Sequence, residues 1–165
     1  MAMLEWARRS VEEQRLFNPA FLALVLRQTA VGYAQEAGQP LPLMLGFVGP
    51  AVVLHRSSRD ALPYTTRTDL LVWLQEHPDV RFLAGARARR LAPLVRTALV
   101  FGSNLRVIEV DVGGVSVGTA AITTAAIERV PGDAGSCLSR ARHFGRWAAR
   151  SGSIVYQMTL WGVAP

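Results

Sequence analysis

The stretch that decides the fold is TTRTDLLVWLQEHPDVRFLAGARARRLAPLVRTALVFGSNLRVIEVDVGGVSV, Thr65–Val117. Thr65–Leu74 opens on threonines suited to a helix cap and carries Leu70, Leu71, Val72, Trp73 and Leu74. His77-Pro78-Asp79 closes it, because proline disfavours the helical conformation in the residue before it and aspartate can cap a following helix. Val80–Leu91 is expected as a second helix. Ala92–Phe101 is expected as a third, with Pro93 in its first turn, where a missing N–H is tolerated. Gly102-Ser103-Asn104 then ends that helix. Leu105–Val112 and Val115–Val117 read as two strands about the Gly113-Gly114 turn, since glycine supplies positive φ without strain. Ile108, Val110 and Val112 alternate with Glu109 and Asp111, the pattern of a half-buried strand. Three short helices and a hairpin predict a winged helix-turn-helix.

On either side the chain reads as helical support. Met1–Leu16 is expected as a partly exposed helix. Asn18-Pro19 is a start signal, with asparagine as cap and proline at the first helical position. Phe21, Leu22, Leu24, Val25, Leu26, Val31 and Tyr33 give the following helix a broad apolar face, and Gly38 is a plausible end. Pro42–Arg59 is apolar nearly all round and is expected as a central helix, kinked or split at Pro50, with Gly46 and Gly49 permitting close approach of a neighbour. Gly118–Val130 fits strand and helix equally. Pro131–Gly135 reads as a loop, Ser136–Arg150 as an amphipathic helix with Leu138, Phe144, Trp147 and Ala148 inward, and Ile154–Leu160 as a docked segment before the tail. The expected fold is mainly α, one domain over 1–165. A winged-helix core at about 65–118 carries its one small β-hairpin and is supported by packing helices in 1–63 and 136–160.

The net charge is +6, and every one of the 18 basic residues is arginine. Val80–Val107 holds Arg81, Arg87, Arg89, Arg90, Arg96 and Arg106 and no acid, while Ala134–Pro165 holds Arg140, Arg142, Arg146 and Arg150 and no acid. The rest of the chain is net negative. Such segregation favours a phosphate backbone or an acidic protein face as partner. Arg87, Arg89, Arg90, Arg96 and Arg106 are therefore the candidate nucleic-acid or partner-binding residues, set against the plainer reading of a solvated basic surface.

Catalytic and metal chemistry finds little support. His55, His77 and His143 have no second ligand at metal-binding spacing. His55, Arg56 and Arg59 instead suit the C-terminal end of a helix, where cations complement the dipole. The single cysteine, Cys137, rules out an internal disulfide framework and sits where a small packing residue would. No nucleophile elbow or phosphate-cradling glycine loop is present. No enzyme activity, cofactor or metal is expected. The apolar run Leu41–Leu54 falls short of the roughly 20 residues needed to cross a bilayer. The N-terminal stretch mixes acids and bases and is expected to be no signal peptide, so the setting is expected to be cytoplasmic.

Several stretches carry a family resemblance. NPAFLALVL (Asn18–Leu26), LPLMLGFVGPAVVLHRSSRDALP (Leu41–Pro63), TDLLVWLQEHPDVR (Thr68–Arg81), FGRWAA (Phe144–Ala149) and GVAP (Gly162–Pro165) resemble the middle component of bacterial three-component ABC ATPase conflict systems. This sequence has Gly49 where the family often has leucine before the helix-centre proline. The resemblance implies a winged-helix accessory subunit in phage defence or genome conflict. Its implied partners are an SMC- or recombination-type ABC ATPase and a third component, with DNA as a further candidate; it carries over no catalytic residue. The second reading is a free-standing winged-helix DNA-binding regulator.

Overall fold

A computed structural model describes residues 18–163. The helix expected at Met1–Leu16 and the last two residues of the tail lie outside the described residues. The described chain is mainly helical with one two-stranded antiparallel hairpin. In order, the elements are α1 (Pro19–Ala37), α2 (Leu43–Val53), α3 (Arg56–Asp60), α4 (Leu70–Glu76), α5 (Pro78–Asn104), β1 (Ile108–Asp111), β2 (Gly114–Val117), α6 (Thr124–Glu128), α7 (Gly132–Ala149) and α8 (Ile154–Trp161).

Helix α1 is bounded as its sequence dictates. The Asn18 side chain accepts from the Ala20 N–H, Pro19 takes the first turn, and Gly38 ends the helix at φ 65°. Its closest partner is α7. A Cβ at Gly32 would overlap the Arg142 carbonyl, and a Cβ at Gly145 would overlap the Thr29 carbonyl. The two backbones therefore touch where side chains would otherwise hold helices 8–10 Å apart. Leu22, Val25, Leu26, Leu138, Ala141, Phe144 and Trp147 close the seam into one buried cluster with Leu45, Val48 and Val52 of α2.

Aromatic rings fill the other side of that core. Trp73 meets Trp147 edge-on at 5.0 Å between ring centres and stacks on His77 at 4.6 Å. Trp161 of α8 completes the group. The indole N–H groups are satisfied by backbone: Trp73 donates to Ala61 at 3.0 Å and Trp147 to Thr68 at 2.8 Å. Buried indoles need such partners, and these two pin the 61–69 loop to the core.

The stretch that was expected to hold three helices holds two. Helix α4 begins at Leu70, with Asp69 as cap accepting from Val72, so Thr65–Thr68 form turns before it. The expected break between Leu91 and Ala92 is absent, and Pro78–Asn104 is one helix with Pro93 inside it. An interior proline costs about 3 kcal/mol. Here it sits on the exposed side, while Val80, Ala84, Ala88, Val95, Ala98 and Gly102 continue one buried stripe on both sides of it. Fully burying a single side chain of Val size contributes roughly 1.5–3 kcal/mol, so the continuous stripe outweighs the local penalty. Gly102 lies within the helix because it packs against Ile108 and Ala23. The winged helix-turn-helix expected over 65–118 thus has no separate third helix, although the hairpin after it is present.

Other corrections are local. Strand β1 starts at Ile108 rather than Leu105, and only Ile108 is buried; Val110 and Val112 are exposed, so the predicted alternation does not mark a half-buried face. The hairpin is anchored instead through Leu41 and Val115, which exchange backbone hydrogen bonds of 2.9 and 2.8 Å. The central apolar helix does not break at Pro50 but at Leu54-His55, where His55 turns extended before α3. Gly118–Val130 resolves into loop and the short α6, capped by Thr123. The loop expected at Pro131–Gly135 is mostly the first turn of α7.

The α1–α7 contact makes a direct prediction. Gly32→Ala or Gly145→Ala meets backbone and forces the helices apart. Overpacking of this kind costs about 1–3 kcal/mol and more where the obstacle cannot yield. With backbone as the obstacle the cost sits at the upper end, about 3 kcal/mol, so each should lower the thermal midpoint by roughly 6–12 °C, at 2–4 °C per kcal/mol. Gly46→Ala, whose Cβ meets Leu26 at an ordinary 3.5 Å, should leave the midpoint within a few degrees. Equal effects at all three positions in a melting experiment would contradict the close contact.

Candidate interaction surface

The predicted site residues are distributed by the geometry of α5. On a helix, residues at 3.6-residue spacing share a face. Arg81, Arg89, Arg90 and Arg96 are exposed, and none of them has a hydrogen bond or ion pair among the described residues. Arg87 differs. It turns inward and donates to the Ser58 hydroxyl at 2.8 Å, and burial pulls its pKa below the ordinary arginine value. Arg106 follows the helix in a turn at φ 55°, exposed, with its carbonyl accepting from Ala120. The structure therefore brings Arg89, Arg90 and Arg96 onto the open side of one rod and separates Arg87 and Arg106 from them.

Exposed apolar side chains lie on the same rod. Phe82 is 77 % exposed and Val100 63 %. Leu83, Phe101 and Leu105 are also partly or largely open. These were not recognised in the sequence because a 3.6-residue pattern over two short helices assigns them to different frames; one helix places Phe82 and Val100 in line.

The second basic segment is engaged within the chain. Arg146 and Arg150 both bind the Glu36 carboxylate, at 2.8 and 3.3 Å. Those hydrogen bonds hold Glu36 below the usual carboxylate range. Arg142 donates to Gln35 at 3.2 Å and Arg140 to the Leu62 carbonyl at 3.5 Å. This cluster ties α7 to the last turn of α1.

Two further arginines are buried. Arg59 is 1 % exposed; it donates to the Val53 carbonyl, to Cys137 Sγ at 2.9 Å and to the Asp133 carboxylate. It thus satisfies the broken end of α2 and joins it to α7, rather than serving as an exposed cation at a helix end. Arg27 donates to the Ile122 carbonyl at 3.0 Å, holding the 118–123 loop, and its Nε is buried without a partner. Arg27 is a lone basic residue within an apolar run, and Arg59 follows His55 and Arg56 in a basic cluster; neither pattern marks a buried arginine in the sequence. Burial raises the Cys137 thiol, against the opposing pull of Arg59. That environment is inert, since the thiolate is the reactive species.

A cleft of about 370 Å³ lies between α1, α6 and α7, lined by Gln28, Thr124, Glu128, Ser136, Ser139 and Arg142 among others. No histidine or cysteine lines it. Among the described residues no three His, Cys, Asp or Glu side chains converge on a point, and no helix is long and apolar enough to cross a membrane.

His143 offers a pH test of the core. Burial pulls its imidazole below the ordinary value, with the Pro63 carbonyl opposing, and Nε2 is enclosed without a partner. The unfolded chain therefore binds the proton more readily than the folded one. Stability is fully present above about pH 6.5 and declines as pH falls through the window below it. His143→Gln should flatten the urea midpoint between pH 7 and 5. Glu36, depressed instead, loses its contribution only as pH falls below about 4.3, so the two windows separate. A midpoint that rises on acidification from pH 7 to 5 in the native chain would contradict the buried neutral imidazole.

Residues 6–165 match the family described as ABC-three component (ABC-3C) system Middle Component 3. No curated protein and no solved structure matches this chain. The match covers nearly the whole length, and the chain belongs to that family: it is a middle component of an ABC-three component system.

Proposed function

We propose that this middle component is a non-catalytic adaptor that couples the ABC ATPase of its system to the third component or to DNA. Family membership supports an accessory role alongside the other components of such a system. The observation that carries the reading is helix α5, acid-free from Val80 onward, whose Arg89, Arg90 and Arg96 stand open to solvent beside exposed Phe82 and Val100. The ATPase is of the SMC or recombination type and the biological context is phage defence or genome conflict, both resting on the sequence resemblance; the cytoplasmic setting rests instead on the single cysteine, Cys137.

A contact with an ATPase face and a contact with DNA make different demands. DNA binding through phosphates acts by counterion release and is indifferent to sequence. A regulator that selects sequence needs a helix seated in the major groove. The unbroken α5 has no separate third helix to play that part, which favours the adaptor over the free-standing regulator.

Arg89→Ala with Arg90→Ala distinguishes the partners. In the protein-contact reading the double variant loses co-elution with the ATPase component and keeps whatever weak DNA affinity the chain has. In the DNA reading it binds unrelated duplexes more weakly to a similar degree, and the salt slope falls by roughly two, at about 0.9 for each lost phosphate contact. Folding should survive in either case, because exposed truncations typically change stability by less than about 0.5 kcal/mol. Unchanged co-elution together with an unchanged salt slope would return these arginines to a solvated face.

A further inference from the structure

The exposed side of α5 carries a repeating pattern that the arginines alone do not explain. Phe82, Arg89, Pro93, Arg96 and Val100 are spaced by 7, 4, 3 and 4 residues, and all five are exposed. Alternating steps of three and four place side chains along one seam, the geometry by which one helix receives another. The seam has an apolar residue at each end and two arginines between. It spans about 27 Å at 1.5 Å per residue, the length of a partner helix of five turns. Proline at its centre leaves the Arg89 carbonyl without the helical N–H that would otherwise reach it.

We infer that this seam docks an acidic amphipathic helix of another component of the system, with apolar residues seated on Phe82 and Val100 and carboxylates meeting Arg89 and Arg96. The inference rests on the adaptor reading above and names the chemistry of its partner. Charge complementarity fixes the sign: Val80–Val107 contains no acid, and every ion pair among the described residues is made by arginines outside α5. A nucleic acid would use the arginines and leave Phe82, 77 % exposed, and Val100, 63 % exposed, without a role. Exposed aromatic and arginine side chains together are the residue types enriched at the centres of protein interfaces. The arginine fork also matches a carboxylate bidentately, so Arg89 and Arg96 fix register as well as charge.

The experiment uses the full chain co-expressed with the ABC component and the third component of its system. Phe82→Asp with Val100→Asp, and Arg89→Glu with Arg96→Glu, should each weaken complex formation at least tenfold by titration, with thermal midpoints unchanged. Phe82→Leu with Val100→Leu should bind within a few-fold of the native chain. A photo-crosslinking side chain placed at 82 or at 100 should attach to a segment rich in Asp and Glu with apolar residues at steps of three and four. Native chain that binds neither component defeats the adaptor reading and this inference with it. Native chain that binds while the Asp variants bind equally well defeats this inference alone. Adducts to a second copy of the chain, or to duplex DNA, also overturn it.

Discussion

Backbone contact between α1 and α7 is the constraint on which the remaining structure depends. Gly32 against the Arg142 carbonyl and Gly145 against the Thr29 carbonyl bring two long helices closer than side chains allow. That closeness lets Phe144 and Trp147 reach past the seam to Trp73 and Trp161. It also sets Arg146 and Arg150 beside Glu36, so an ion cluster locks the end of the same pair. Surface pairs of this kind contribute little singly, and their value here is register. Arg59 performs a related task inside, where it joins the broken end of α2 to the first turns of α7.

On this body α5 lies as a rod of about 40 Å, 27 residues at 1.5 Å each. One side is buried through Val80, Ala88, Val95 and Gly102, small residues that let the helix sit low against α1 and α2. The opposite side keeps what the core does not need: arginines that make no ion pair, and apolar side chains that no other described residue covers. A core cannot accept arginine without a partner, as Arg27 and Arg59 show by the carbonyls and carboxylate they recruit. Positive charge that finds no partner within the described chain is left for another molecule, and membership of a three-component system supplies the candidates.

Much of this was legible in the residues. Asn18-Pro19 and Gly38 bound α1 because capping chemistry is local, and the inward set Leu138, Phe144, Trp147 and Ala148 follows from periodicity. The mainly helical class with one hairpin follows from the same signals. The failures share a cause in tertiary packing. Pro93 and Gly102 are local breakers, yet both lie inside a helix because burial on both sides outweighs them. Gly46 and Gly49 look like close-approach positions inside an apolar run but make ordinary contacts, whereas Gly32 and Gly145 carry the tight one. Nothing in a window of sequence distinguishes these pairs, since the obstacle is a carbonyl more than a hundred residues away. The candidate site divides in the same way: the acid-free run of arginines is legible in composition, while the exposure of Arg89, Arg90 and Arg96 and the inward turn of Arg87 require knowing how α5 packs and where Ser58 lies.

The central claim is that one unbroken helix presents this face, in place of two helices joined by a turn. Spin labels on cysteines introduced at Phe82 and Val100 measure it, because native Cys137 is buried and leaves those two sites to react. A continuous helix predicts a single narrow distance distribution near the roughly 27 Å axial separation of the two positions. A turn near Leu91-Ala92 would fold the ends towards each other. A dominant distance below about 20 Å, well short of the helical rise over that span, would contradict the account.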